Sequence, residues 1–327
     1  MFVREKVIKA ILDSGENFMS GEQLSKKLGI SRTAVWKHIN ALREEGYNIE
    51  SVNKKGYRLA EKPDDILSSE NIAYNLPTEF IGKKVIHLDT VGSTNDYAKE
   101  IGNKVSGGTL IISEQQTKGK GRLGRVWKSK SGDGIWMSLI IKPKIEPYKA
   151  PFLTLVAGAS VVKALSNLGV EVSIKWPNDI IVHNKKICGI LTELSAEMER
   201  VNYVVIGIGI NIKTIDFPDE IKEKATSLYK EGYKLSRVDI VRQFCIEFEK
   251  LYKGYILDGN KQDTLELCRK YSAIIGKQVY VIKNNKRELV KCIDINENGN
   301  LIVKEKNGEI QEIMSGEVSI RGVKGYV

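Results

Sequence analysis

The sequence predicts a multidomain α+β protein built from three segments: a small helical head, a central domain mixing helices with strands, and a small β-barrel. Three observations carry this expectation. The chain has 327 residues, more than one ordinary domain of roughly 100 to 200 residues accommodates. Its composition, 42% hydrophobic and 28% charged, is that of a folded chain and excludes wholesale disorder or a collagen-like repeat. The hydrophobic period also changes along the chain, from helical spacing, to alternating helical and strand-like runs, to short strands punctuated by Asn-Gly turns.

The first domain is expected over residues 1–62. Val3, Val7, Ile8, Ile11 and Leu12 mark a one-faced helix, and a second short helix is expected over 21–28. Gly29 suits the C-terminal position of that helix, and Ser31 suits the N-cap of a third. In the third helix Val35, Ile39 and Leu42 face a core, leaving Arg32, Thr33, Lys37 and Asn40 facing outward for another partner. Alternating runs at 47–52 and 56–59 flank the basic turn Asn53-Lys54-Lys55-Gly56 and read as a two-stranded wing. Helix, turn, helix and basic hairpin describe a winged helix-turn-helix, whose second helix of the motif enters the DNA major groove while flanking cations hold phosphates. The segment carries 12 Lys plus Arg against 8 Asp plus Glu, a modest surplus placed where DNA contacts are expected. Ser31, Arg32, Thr33, Trp36, Lys37, Asn40, Lys54 and Lys55 are the expected DNA contacts. A three-helix protein-binding or dimerisation module is the alternative. Pro63, Asp64 and Asp65 read as the linker.

The second domain is expected over 65–270. Strand-like runs at 84–88, 109–113, 135–141 and 204–212 alternate with helical runs at 95–101, 150–168 and 239–257, so the domain is α/β or α+β. The third, over 271–327, has short strands separated by Asn-rich turns at 284–285, 297–300 and 306–308, read as a small β-barrel. The net charge of +10 favours polyanionic partners. Charged residues interrupt the N-terminal turn, the longest apolar stretch falls short of the ~20 residues that span a bilayer, and the 4 cysteines and 3 histidines are scattered. Neither a disulfide framework nor a zinc cluster is indicated, and a cytoplasmic protein with reduced cysteines and no membrane partner is expected.

The chemistry concentrates at 114–134, EQQTKGKGRLGRVWKSKSGDG. Lys118, Lys120, Arg122, Arg125, Lys128 and Lys130 interleave with Gly119, Gly121 and Gly124. Glycines of this kind take positive φ and let backbone N–H groups approach a ligand, while the cations neutralise phosphate or carboxylate. The run satisfies GxGxxG, but no strand–helix context surrounds it as a dinucleotide-binding turn requires. It extends to the kinase pattern GxGxxGxV, yet nothing downstream resembles HRD or DFG. It fails GxxxxGK[ST] because Arg125 and Val126 stand where Lys and a hydroxyl belong. A solvated basic loop remains open for the run alone. Four further clusters, Ser93-Thr94-Asn95, Lys175 to Asp179, Lys185 to Leu191 and Gly207 to Asn211, point to a shared pocket. Singly, Trp176 could be core, Lys186 a surface amine, and Asn178, Asp179 and Asn211 turn residues.

Five motifs in order, GSTN at 92–95, QTKGKGRLGRVW at 116–127, KWPND at 175–179, KKICGIL at 185–191 and GIGIN at 207–211, resemble the bacterial bifunctional biotin ligases that also act as biotin operon repressors. The resemblance spans all three segments. It implies a central class II synthetase-like ligase domain and a C-terminal SH3-like barrel. It also implies that the central domain adenylates biotin with ATP and transfers the biotinoyl group to a lysine of a biotin carboxyl carrier domain of acetyl-CoA carboxylase, giving AMP and pyrophosphate. Attack of a carboxylate on the α-phosphate brings two anions together, so cations must offset their repulsion. Lys186 and Arg122 are the implied providers.

By the same resemblance Ser93, Thr94, Asn95, Gln116, Gly119, Lys120, Gly121, Arg122, Lys186 and Gly189 bind biotin. Trp127, Asn178, Asp179, Asn211 and Arg321 serve the nucleotide, with Asp179 as the one candidate for Mg²⁺ and no other metal ligand indicated. The glycine-rich loop closes over the adenylate. The usual family loop reads GRGRRGR, whereas Lys120 and Leu123 replace two of its arginines here. Lys lacks the planar fork of Arg, so somewhat weaker retention of the intermediate is expected. Joining a DNA-reading head to this enzyme implies an adenylate-bound homodimer that reads a two-fold operator and represses biotin synthesis genes. Two alternatives stand: a lipoate or octanoate transferase, which should lack the GKGRLGR loop, and a DNA-binding sensor of a small acid without turnover.

Overall fold

The computed structural model describes residues 3–60, 65–283, 286–315, 318–323 and 325–327. The expected linker residues Pro63 and Asp64 and the Asn284-Asn285 turn lie outside these. The head opens with α1 (Val3–Asp13), whose Val7, Ile8, Ile11 and Leu12 are buried. Helix α2 (Gly21–Leu28) begins with a capping box, in which the Ser20 hydroxyl accepts from the Gln23 N–H and the Gln23 side chain accepts from the Ser20 N–H. It ends on Gly29 at φ 67, the left-handed stop that glycine adopts without a steric penalty. Helix α3 (Arg32–Glu44) starts from its Ser31 cap and buries Val35, Ile39 and Leu42. Strands β1 (Ile49–Val52) and β2 (Gly56–Leu59) pair antiparallel as the wing. The wing is stitched to the start of α2 by reciprocal hydrogen bonds between Met19 and Tyr57 at 2.9 Å.

The head has its own core, and the neck is held at several points. Short helix α4 (Ser69–Ala73) follows it. Tyr74 Oη donates to the Leu12 carbonyl at 2.8 Å, and the Tyr47 and Ser68 hydroxyls lie 2.9 Å apart. Asp65 accepts from the Arg237 backbone N–H at 2.8 Å and its side chain at 3.1 Å, and pairs with Lys213. Arg237 in turn reaches Glu114 at 2.7 Å.

The central sheet is formed by β3 (Val85–Val91), β4 (Thr109–Gln116), β5 (Gly134–Ile141), β6 (Ser173–Lys175), β7 (Asp179–Val182), β8 (Lys185–Ala196) and β9 (Val201–Asn211). Among the described residues its order is β3-β4-β5-β9-β8-β7-β6. Helices and strands mix as expected, but their alternation does not build a parallel sheet: β3 and β4 run parallel and every other neighbouring pair runs antiparallel. Short hairpin connections among β7, β8 and β9 permit this. Helix α5 (Thr94–Ile101) packs Ala98 against Ile111, Ile140 and Val205 on one face. The other face is covered by α6 (Phe152–Asn167), α7 (Arg237–Leu257) and α8 (Gln262–Lys270). With both faces covered, every residue of β5 is buried. The segment Pro147–Asn167 is long and apolar enough to cross a membrane, but most of it lies in this core.

The C-terminal strands β10 (Gln278–Lys283), β11 (Lys286–Ile295), β12 (Leu301–Lys304), β13 (Ile310–Ile313) and β14 (Ser319–Gly322) form an antiparallel sheet in the order β13-β12-β11-β10-β14. No ladder joins β13 to β14 among the described residues, so the sheet is open at those edges. Its buried Val279, Val281, Leu301 and Val303 belong to the same core as the central domain. Trp176 Nε1 donates to the Gly299 carbonyl at 2.9 Å across that junction.

Gly56 holds the wing in place. It sits at φ 112, and a Cβ there would lie 2.3 Å from the Met19 carbonyl oxygen. Gly56→Ala is therefore expected to destabilise the head by more than about 1 kcal/mol, because both the backbone region and the close approach exclude a side chain. Hydrogen exchange should show faster opening of α2 and β2 with unchanged protection of β5; equal protection throughout would refute this.

Candidate functional site

The site is built on glycines that share one sheet face. Side chains two apart on a strand point the same way, so Gly207, Gly209 and Asn211 of β9 lie along one face. Register sets Gly189 of β8 opposite Gly209, and Asp179 of β7 opposite Gly189. A Cβ at Gly209 would lie 2.6 Å from Trp127 Nε1, and one at Gly189 would lie 2.9 Å from the same indole. A Cβ at Gly207 would lie 2.2 Å from Asn95 Oδ1. The missing side chains thus seat Trp127 and Asn95 directly on the strands. Among the described residues the buried Trp127 indole N–H finds no acceptor.

Above this floor opens a cavity of about 670 Å³. Of the residues expected on biotin, Ser93, Thr94, Asn95, Gln116, Lys120, Gly121, Arg122, Lys186 and Gly189 line it. So do Trp127, Asn178, Asp179, Asn211 and Arg321, expected on the nucleotide. The five motifs therefore meet in one place. Gly119 is not on the wall: a Cβ there would lie 2.3 Å from the Trp127 carbonyl oxygen, so it serves the packing of the loop on itself. Of the three loop glycines able to take positive φ, Gly124, at φ 71, does so, while Gly121 has φ −117. Leu123 shares that region at φ 57, with its side chain 66% exposed at the mouth.

One side of the cavity is a polar network. Gln116 Oε1 accepts from the Thr94 N–H at 2.9 Å, and its Nε2 donates to Ser129 Oγ at 2.8 Å. Ser138 Oγ donates to Asn95 Oδ1 at 2.6 Å and lies 2.7 Å from Thr94 Oγ1. Asn95 Nδ2 donates to Glu193 at 2.7 Å, and Lys99 pairs with that carboxylate at 2.7 Å. Ser93 caps α5, and Lys120 is held by Asp96 at 2.6 Å. The amide and hydroxyl groups are fixed before any ligand arrives, which is what recognition of a neutral polar head group requires.

The opposite side is a charge cluster. Lys186 Nζ lies 2.5 Å from Asp179 Oδ1 and 5.1 Å from the Trp127 ring. Asp179 Oδ2 accepts from the Tyr326 hydroxyl. Burial would raise the Asp179 carboxyl, but the Lys186 ammonium beside it outweighs this and holds it below its ordinary value. Arg122 donates to Asn178 Oδ1 at 2.9 Å and to the Ser315 carbonyl at 2.6 Å, tying the loop to the C-terminal sheet. Asn178 and Asn211 also donate to the carbonyls of Ile190 and Thr226, at 2.9 and 3.1 Å. The expectation that Asp179 holds Mg²⁺ does not fit: its counter-charge is an ammonium, which a divalent cation at that oxygen would face at close range. Among the described residues no cluster of three His, Cys, Asp or Glu could hold a metal.

Sequence reasoning offers Lys175 only as a member of the KWPND cluster that could reach the shared cleft, and it does not single out Tyr326, Ser129, Ser138 or Glu193. Ser138, a lone hydroxyl in a fully buried strand, carried a readable signal, since buried polar groups need partners. Tyr326 carried none. In the head, Ser31, Arg32, Thr33, Lys37, Lys54 and Lys55 are exposed, and Asn40 is half-buried beside Arg43. Trp36 is 54% exposed on the same helix face side as these polar groups.

Each of the three segments of the chain is similar to known proteins. The biotin/lipoate A/B protein ligase family model matches residues 88–211, an HTH domain model matches 3–58, and the biotin protein ligase C-terminal domain model matches 274–321. The bifunctional ligase/repressor BirA of Bacillus subtilis is 42% identical over 323 residues, covering 97% of this chain and 98% of that protein. The protein of the same name from Escherichia coli is 32% identical, covering 96% of each. A solved biotin protein ligase from Aquifex aeolicus in complex with biotin and ATP superposes with a TM-score of 0.64 at 32% identity, covering 73% of this chain and 99% of that one.

Lys175 provides a pH test of the site. Its ammonium is 2% exposed, and burial pushes it down to about 7 against the attraction of Asp179. The unfolded chain keeps the proton up to about 10.5. Between these values unfolding takes up a proton, so stability from this group rises with pH from about 7 toward 10.5 and is flat below about 7. Denaturation of the wild type and Lys175→Met at pH 6, 7.5 and 9 should show the wild type gaining on the variant as pH rises. A pH-independent difference would refute it.

Proposed function

The chain belongs to the family of bifunctional biotin ligase/repressors, and from that premise we propose how its residues divide the work. It is a biotin protein ligase carrying a DNA-binding repressor head. The observation that carries the residue assignments is the convergence of the five motifs on one cavity, with a fixed amide–hydroxyl network on one side and Lys186 with Arg122 on the other. Biotin places its head group against Thr94, Gln116 and the neighbouring hydroxyls. Its carboxylate lies by Lys186, where ATP presents the α-phosphate. The carboxylate oxygen forms a bond to that phosphorus, pyrophosphate leaves with the bonding electrons, and biotinoyl-5'-AMP remains.

Lys186 and Arg122 offset the charge that builds on the phosphoryl oxygens, which is where preorganised cations act most strongly. The nucleotide lies toward Trp127, Asn178, Asn211 and Arg321. Mg²⁺ would come as a counter-ion of the ATP phosphates, since no carboxylate described in the site fits it. The exposed Leu123 and Val126 at the mouth support closure of the 117–128 loop over the adenylate. The amine of a carrier-domain lysine, in acetyl-CoA carboxylase, then attacks the mixed anhydride and releases AMP. The central domain is read as class II synthetase-like, the C-terminal sheet as an SH3-like barrel, the domain limits as 1–62, 65–270 and 271–327, and the location as the cytoplasm.

For the head, Arg32, Thr33 and Lys37 meet base edges, with Lys54 and Lys55 on phosphates and Ser31, Trp36 and Asn40 as further DNA contacts. The adenylate-bound form dimerises and places two heads on a two-fold operator. Ligand and DNA are coupled only if the ligand favours the dimer.

Two measurements test these assignments. Biotin-dependent exchange of labelled pyrophosphate into ATP should occur with biotin and not lipoate, and Lys186→Met should lower it by about 100-fold or more; exchange with lipoate, or an active variant, would overturn the substrate or the role of Lys186. Sedimentation should show a heavier species with biotinoyl-adenylate than without; the same oligomer in both states would refute the coupling.

A further inference from the structure

Lys186 is a long, flexible side chain whose position depends on Asp179, and Asp179 has two oxygens to place. Oδ1 meets Lys186 at 2.5 Å. Oδ2 accepts a hydrogen bond from Tyr326, which arrives from beyond β14 rather than from the central sheet. Tyr326 is itself held at several points. Its carbonyl accepts from Lys175 Nζ at 2.6 Å, and that ammonium lies 3.4 Å from the ring centroid. The ring is 8% exposed. The following residue lies on Gly322, where a Cβ would come within 2.4 Å of the Val327 carbonyl carbon. Burial, and then Asp179 itself, raise the Tyr326 hydroxyl well above its ordinary value, so it keeps its proton and acts as a donor.

We propose that Tyr326 is a positioning residue for adenylation: its hydroxyl fixes the Asp179 carboxylate, which in turn fixes the Lys186 ammonium over the cavity. The proposal rests on the ligase reading above. A carboxylate anchored through one oxygen alone can turn about its side-chain torsions, and Lys186 would follow it; anchored through both, the pair has one orientation. Small displacements of a charge-stabilising group cost catalysis steeply. The C-terminal sheet thereby contributes a group to the site that none of the five motifs contains. Lys175, whose ammonium donates to the Tyr326 carbonyl, acts one step further back.

The test uses the full chain and separates rate from the number of working sites. For Tyr326→Phe the pre-steady-state burst of biotinoyl-adenylate should keep its wild-type amplitude, the exchange kcat should fall about tenfold, and KM for biotin and ATP should stay within about twofold. Placed on an Asp179→Asn background, Tyr326→Phe should add no further loss, because the two act through one interaction. Tyr326→Leu, which also removes the ring beneath Lys175, should be slower than Tyr326→Phe. A wild-type kcat in Tyr326→Phe would overturn the proposal. So would a reduced burst amplitude with an unchanged rate per working site, which marks a structural role. A wild-type protein without biotin-dependent exchange would overturn the ligase reading itself, a result distinct from either.

Discussion

The site depends on a strip of sheet surface from which side chains are missing. Gly189, Gly207 and Gly209 sit on one face of two paired strands, and each is closely covered by a side chain from elsewhere in the chain. A pleated sheet normally stands its side chains roughly perpendicular to its plane. Removing three of them lets Trp127 and Asn95 lie on the backbone itself. The indole forms one boundary of the charge cluster, and the amide begins the polar network. Everything else in the pocket is arranged around those two seats.

That arrangement explains how a neutral recognition surface and a cluster of charge coexist a few ångströms apart. The hydroxyl and amide groups satisfy one another through Gln116, Thr94, Ser138 and Asn95. The ammonium of Lys186 is balanced by Asp179. The contacts named in each set join members of that set. A ligand replaces or extends existing bonds instead of creating order, which limits the entropy lost on binding.

Much of the local structure was legible in the sequence because it is decided locally. Gly29 at the end of α2 and the Ser31 cap of α3 are legible from contacts within a few residues, and the period of the apolar residues marks α3, α5, α7, β1 to β5 and β9. The motifs could be gathered into one pocket because five clusters in a single chain require a common destination. What escaped depends on pairing across long separations. The antiparallel order of the central sheet follows from which strands meet, and alternation alone does not encode that. Gly119 was read as conformational freedom, whereas it answers to the Trp127 carbonyl, known only once the loop has folded back. Asp179 as a Mg²⁺ ligand follows only from the family resemblance; its hydrogen bond with the Tyr326 hydroxyl joins residues 147 positions apart. The sequence shows residue types, while this site is made by the registration of distant segments.

Among the described residues the buried apolar side chains fall into three clusters: one in the head, one under α5 on the central sheet, and one shared by the central domain and the C-terminal sheet. These have unequal histories available to them. A module with its own core can be gained or lost at the neck with little disturbance to what remains, since few apolar contacts are cut. The C-terminal sheet offers no such seam: detaching it would uncover Val279, Leu301 and the Trp176–Gly299 junction in a single step. Regulation by DNA is therefore a detachable trait in this architecture, whereas the last sheet is inherited together with the chemistry.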